Sequence, residues 1–76
     1  MSQKNKFPET LEETQKLSEV LEKRLKHQVC VTSFMNILYI RVFYQGVIKS
    51  LELQEGHIYK LKIPLVEFCV KNLRLV

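Results

Sequence analysis

A chain of 76 residues is long enough for one small domain with a single core, which buries only about 60% of the surface that the unfolded chain exposes. Hydrophobic residues make up 46% of the chain and charged residues 26%, a balance that excludes a disordered protein and predicts a folded one. The net charge of +4 fits nucleic acid or acidic protein partners without selecting either. Because the chain contains no Asp, any site that requires Asp is excluded.

The first predicted element is an amphipathic helix that follows a polar tail. We expect residues 1–8 to form a disordered N-terminal tail and residues 9–76 to form a single α+β domain. Thr10 and Glu13 have the spacing of a capping box, which starts a helix. The positions that follow place Glu and Lys at i,i+4 on one face and leucines on the other, and we expect the helix to end near His27. The leucine stripe consists of Leu11, Leu17, Leu21 and Leu25.

Antiparallel strands are predicted after this helix. The β-branched run from Val29 to Thr32 favours a first strand. Either a turn ending at Asn36 follows it and leads to a second strand, or one long bent strand continues from Val29 to Tyr44. Further on, Gln45-Gly46 separates two alternating runs, as is typical of a tight hairpin. That turn predicts a register in which these pairs share one apolar face: Tyr44 with Val47, Val42 with Lys49, Ile40 with Leu51, and Leu38 with Leu53.

A further strand is predicted after a three-residue loop, Glu55 to His57, in which Gly56 would adopt the left-handed conformation. We choose the register that buries Tyr59, Leu61 and Ile63 on the apolar face. The alternative register would turn Lys60 and Lys62 into the core, because a slip of one residue inverts every side chain of a strand. The chosen register therefore places both lysines on the outer face.

The last dozen residues fit two structures. As a strand, Val66, Phe68 and Val70 would lie on one face; as a helix, Glu67 and Lys71 would form an i,i+4 pair, and we favour the helix. The predicted fold class is therefore α+β, with an N-terminal amphipathic helix packed on a three- to four-stranded antiparallel β-meander. A C-terminal helix, or a fifth strand, completes it.

The outer face of the predicted sheet is the candidate interaction surface. A contiguous patch of large apolar side chains usually marks an interface, and three coverings are open: the C-terminal segment, a second copy or another protein, and single-stranded nucleic acid. For nucleic acid, aromatic rings would stack on bases and cations would contact phosphates. We expect association with itself or another protein, with nucleic-acid binding as the alternative. The surface comprises Ile37, Tyr39, Arg41, Phe43, Ile48, Lys60 and Lys62, and Phe34 if its strand extends that far.

No catalytic, cofactor or metal site is predicted from the residues. His27 and Cys30 have H-x-x-C spacing, but a zinc site needs four ligands, and His57 and Cys69 are isolated in the sequence. We therefore expect a non-enzymatic module with no cofactor and no small-molecule substrate. The polar N-terminus and the lack of an apolar span predict no membrane association and an intracellular, cytoplasmic protein with reduced thiols, and a nuclear location also fits.

Overall fold

The computed structural model describes residues 5–75, which form three helices on one side of a three-stranded sheet. The strands form an antiparallel meander in the order β1-β2-β3, so the predicted α+β class is confirmed. In chain order the elements are α1 (Leu11–Leu25), β1 (Gln28–Phe34), β2 (Ile37–Tyr44), β3 (Val47–Gln54), α2 (Glu55–Lys60) and α3 (Leu65–Leu73).

Helix α1 begins at the predicted capping box. The Thr10 hydroxyl accepts a hydrogen bond from the Glu13 backbone N–H at 3.1 Å, and the Glu13 carboxylate accepts one from the Thr10 N–H, also at 3.1 Å. The helix ends at Leu25, because Lys26 adopts the left-handed conformation with φ 60°. Leu11 departs from the predicted stripe and is 74% exposed, since it lies in the first turn before the buried positions. Those buried positions are Thr14, Leu17, Leu21 and Leu25.

Both hairpins close through two-residue turns. Gly46 has φ 76° in the second turn, and in the first turn Met35 and Asn36 both have positive φ, as the tightest hairpin turns require. The register predicted between β2 and β3 is confirmed at every pair. Val29 and Val31 lie opposite Val42 and Ile40, so the predicted apolar face of β1 and β2 is also confirmed.

The strand predicted after β3 is wrong, because the segment forms helix α2. The Glu55 N–H still donates to the Asn36 carbonyl at 2.9 Å, next to the last β2–β3 pair, and α2 begins at this residue. Ile58 is fully buried, whereas Tyr59 is half exposed and its hydroxyl donates to the Glu55 carboxylate at 2.6 Å. This is the reverse of the burial predicted from a strand period, and a helix of six residues achieves it. Gly56 lies inside that helix and not in the left-handed conformation.

Helix α3 confirms the predicted C-terminal helix and packs on the same side of the sheet as α1. Leu73 is buried in the core, and its carbonyl accepts a hydrogen bond from the Tyr44 hydroxyl. Arg24 of α1 donates two hydrogen bonds, of 2.6 Å and 3.1 Å, to the Glu67 carboxylate of α3. The C-terminal segment therefore does not cover the outer face of the sheet, so the first of the three coverings considered from the sequence is wrong.

Residues 5–8 pack against the start of α3. Phe7 is 4% exposed and belongs to the core. The Asn5 side chain accepts a hydrogen bond from the Leu65 N–H and donates one to the Ile63 carbonyl, both at 2.9 Å. The predicted disordered tail therefore does not extend through these residues, and its first part, residues 1–4, lies outside the described residues.

Candidate interaction surface on the open sheet face

The side of the sheet turned away from the helices is called the open face here. The strand register arranges its side chains in four rows of three, one from each strand. All helices of residues 5–75 place their buried residues in the core on the other side, so none of them covers these rows. The rows are Phe34, Ile37 and Gln54; Thr32, Tyr39 and Glu52; Cys30, Arg41 and Ser50; and Gln28, Phe43 and Ile48.

Large apolar side chains occupy the two ends of the open face. Phe34 at one end is 67% exposed and Ile48 at the other is 61% exposed. Ile37, Tyr39 and Phe43 on the central strand are half-buried between their neighbours in the sheet. Phe34 and Ile48 are therefore the most exposed apolar side chains of the open face.

Only two charged side chains lie on the open face, and their charges are opposite. Arg41 on β2 and Glu52 on β3 are both exposed and are diagonal neighbours, since Glu52 pairs with Tyr39 two residues before Arg41. The ion pairs found among residues 5–75 lie elsewhere and include neither of these two residues. The open face is therefore electrically neutral, and the net charge of +4 arises from the rest of the chain.

Five of the seven predicted surface residues lie together on the open face, and the two lysines do not. Lys60 is the last residue of α2, and Lys62 lies in the linker before α3; both are exposed. Their predicted position depended on a strand that the chain does not form. The combination of aromatic rings with several cations is consequently absent from the open face, where Arg41 is the single cation beside Glu52.

Two side chains beyond the sheet extend the apolar end of the open face, and neither was predicted there from the sequence. Met35 in the first hairpin turn is 77% exposed and Tyr59 on α2 is 52% exposed. With Ile37 and Gln54 they line a shallow depression where β2 starts and β3 ends. A strand period hides this role of Tyr59, because it places that side chain on the core side of the sheet.

The two thiols lie on opposite sides of the sheet and are not bonded to each other. Cys30 is half-buried on the open face, whereas Cys69 is fully buried in α3. Burial raises the pKa of the Cys69 thiol to about 12, so this thiol stays protonated and unreactive at neutral pH. Cys30 is therefore the thiol that a reagent in solution can reach.

Within residues 5–75, His, Cys and Glu side chains form no group of three or more that could hold a metal ion. Over the same range, the helices are too short or too polar to cross a membrane.

Comparisons with protein-family models, with curated proteins and with solved structures gave no match. The chemistry of the open face is therefore the basis for assigning a function.

Proposed function

We propose that the protein is a small non-enzymatic self-association module, in which the open face of one chain packs against the open face of a second copy. The observation that supports this most strongly is a neutral sheet face with exposed Phe34 and Ile48 at its ends and only Arg41 and Glu52 as charges. A second copy presents the same surface and so matches it in both polarity and charge balance, as interfaces with two-fold symmetry require.

The size of the open face predicts a weak dimer. Three strands of seven or eight residues span about 14 Å by 27 Å, so the footprint is roughly 400 Å² per chain. The accessible area of protruding side chains exceeds this flat outline, so two such faces would bury on the order of 1,000 Å², at the lower limit of specific interfaces. We therefore expect an association that depends on protein concentration within the micromolar range or above.

Single-stranded nucleic acid fits the open face less well than a protein does. Binding without sequence preference depends on a positively charged groove that follows the phosphates beside the stacking aromatic rings. Arg41 is the one cation of this face, and Glu52 beside it repels phosphate. With Lys60 and Lys62 on α2 and the linker, Tyr39 and Phe43 lack the cations that this alternative requires.

Sedimentation velocity over a range of concentrations tests the proposal. Ile48→Glu places a charge on the open face at a side chain that is 61% exposed, so the fold tolerates it. Leu11→Glu makes the same kind of change at a 74% exposed position on α1 and serves as the control. We expect wild type and Leu11→Glu to show a concentration-dependent dimer and Ile48→Glu to remain a monomer. A wild type that stays monomeric at millimolar concentration contradicts the proposal.

The Cys30 thiol gives an independent measurement of the same event. A thiol reagent should react with Cys30 more slowly as protein concentration rises, because the second copy covers it, while Cys69 stays unreactive.

To test the nucleic-acid alternative, the same protein is titrated against a single-stranded oligonucleotide at low and high salt. Binding at low salt that falls steeply with added salt, and is lost in Arg41→Ala, would favour the nucleic-acid alternative instead.

A further inference from the structure

The position of the two charges on the open face selects one arrangement of two copies, and this inference builds on the self-association proposed above. Arg41 and Glu52 lie in the two central rows, Arg41 on the central strand β2 and Glu52 on the outer strand β3. Both side chains are exposed, and neither takes part in the ion pairs found among residues 5–75. A two-fold interface would bury both charges, so each needs a partner of opposite sign across it.

Two sheets stacked face to face with roughly aligned strands can be related by a two-fold axis that runs along the strands or across them. An axis along β2 places each residue of β2 over its own copy. Arg41 then meets the partner's Arg41 in the middle of the interface, and Glu52 meets the partner's Thr32. This arrangement buries two like charges against each other and leaves both carboxylates unpaired, which is unfavourable.

An axis across the strands reverses the order of the rows. On the central strand Ile37 then lies over the partner's Phe43, whereas on the outer strands Phe34 and Ile48 lie over the partner's Gln28 and the partner's Gln54. In the middle, Arg41 lies over the partner's Tyr39, whose neighbour in the same row is Glu52. The guanidinium gains an aromatic face and a carboxylate from the second copy, and the two-fold axis repeats both contacts.

The twist of the sheets leaves this central match in place. Stacked sheets are rotated by about 30° relative to each other, which displaces the distant corners most. The rows of Tyr39 and Arg41 lie only about 3.4 Å from the middle of β2, so the rotation moves them by about 2 Å. A long Arg side chain easily spans that displacement.

We propose that two copies dock with their two-fold axis across the strands, passing between Tyr39 and Arg41, and that Arg41 pairs with Glu52 of the second copy. Arg41 and Glu52 thereby determine the specificity of the dimer, and the apolar ends supply the buried area. The nearest alternative, an axis along the strands, predicts that loss of Arg41 relieves repulsion and strengthens the dimer.

Charge reversal tests the pairing of Arg41 with Glu52, and Arg41→Ala distinguishes the two arrangements. Arg41→Glu and Glu52→Arg are prepared separately, and Lys60→Glu, which changes an exposed cation off the open face, is the control. We expect each open-face variant alone to dimerise roughly 10- to 100-fold more weakly than wild type, because the like-charge pair that it creates occurs twice. An equimolar mixture of the two should dimerise as well as wild type, since both of its pairs join opposite charges. Lys60→Glu should dimerise like wild type.

The outcomes separate this inference from the proposal on which it rests. A wild type that dimerises and loses the dimer in Ile48→Glu, while the mixture of charge variants stays monomeric, overturns the arrangement and leaves self-association intact. Arg41→Ala should dimerise more weakly than wild type, because it removes both Arg41–Glu52 pairs. A dimer that becomes stronger in Arg41→Ala overturns the arrangement, in favour of the axis along the strands. A wild type that remains monomeric at millimolar concentration overturns self-association and the arrangement together.

Discussion

Asn5 joins the N-terminal segment to the start of α3, and its replacement by Ala should destabilise the whole domain. The N-cap residue of α3 is Pro64, which offers no side-chain cap, and the Asn5 side chain supplies the missing acceptor to the Leu65 N–H at 2.9 Å. The same side chain donates to the Ile63 carbonyl at 2.9 Å and to the Leu61 carbonyl at 3.5 Å. One residue thus caps α3 and fixes the linker that precedes it.

The size of the effect follows from these bonds. Loss of an N-cap acceptor costs about 1 kcal/mol, and loss of a partly exposed hydrogen bond adds about 0.5 to 1 kcal/mol. The 3.5 Å contact is too long to add much. We therefore expect Asn5→Ala to lower the free energy of unfolding by about 2 kcal/mol and Tm by roughly 8 to 16 °C for a domain of this size.

Urea unfolding followed by circular dichroism measures this change, and the midpoint should fall while the slope stays the same. Asn5→Asp keeps the acceptor for the Leu65 N–H but loses both donor contacts, so its stability should lie between those of wild type and Asn5→Ala. Asn72→Ala removes an amide hydrogen bond of 2.8 Å on the exposed surface of α3 and is the matched control, with an expected effect below about 0.5 kcal/mol. An Asn5→Ala protein within about 0.3 kcal/mol of wild type would refute the capping role of Asn5.

Two further predictions concern the N-terminal part of the chain. Phe7→Ala should lower the free energy of unfolding by about 3 to 5 kcal/mol, because it empties a core position that is 4% exposed; a urea midpoint near that of wild type would show that Phe7 does not pack in the core. Hydrogen bonds from the Thr10 backbone, then from Lys6 and the Glu9 backbone, lower the pKa of Glu13 from 4.5 to about 2. The ionised Glu13 therefore stabilises the fold above pH 4.5, and this contribution is lost as pH falls from 4.5 through about 2. Glu13→Gln should accordingly be less stable than wild type at pH 7, and the difference should shrink towards pH 2; a difference that stays constant with pH would contradict the lowered pKa.

Short-range patterns were sufficient to predict α1 and the hairpin of β2 and β3, whereas the turn between β1 and β2 was left open. The capping box of Thr10 and Glu13 starts the helix without the help of tertiary contacts, because its hydrogen bonds join residues three apart. Gly46 at φ 76° fixes the second hairpin, and alternation then allows a single register that buries Leu38, Ile40 and Val42. The positions of Arg41 and Phe43 on the open face follow from that register, so most of the candidate site could also be read from the sequence.

The segment after β3 shows where short-range patterns are insufficient. Tyr59, Leu61 and Ile63 alternate as a strand would, and the same segment permits a helix of six residues that buries Ile58 instead. The choice depends on the space under the sheet that Ile58 fills, in a core formed by residues that are distant in the chain. The predicted strand also placed Lys60 and Lys62 on the open face. In the structure they lie at the end of α2 and in the linker before α3.

The sequence by itself determined the helix start, the strand register and the two faces of the sheet, because those features depend on neighbours a few residues apart or on one turn. The tertiary structure alone decided which face the C-terminal helix covers. The amphipathic pattern of α3 fits either side of the sheet, and the contacts that place it join distant residues: Tyr44 with Leu73, Arg24 with Glu67, and Asn5 with Leu65. Those contacts hold α3 beside α1, so Phe34, Arg41 and Ile48 remain exposed to solvent. The hydrophobic effect favours the burial of apolar area, but it does not determine which face of the sheet a helix covers.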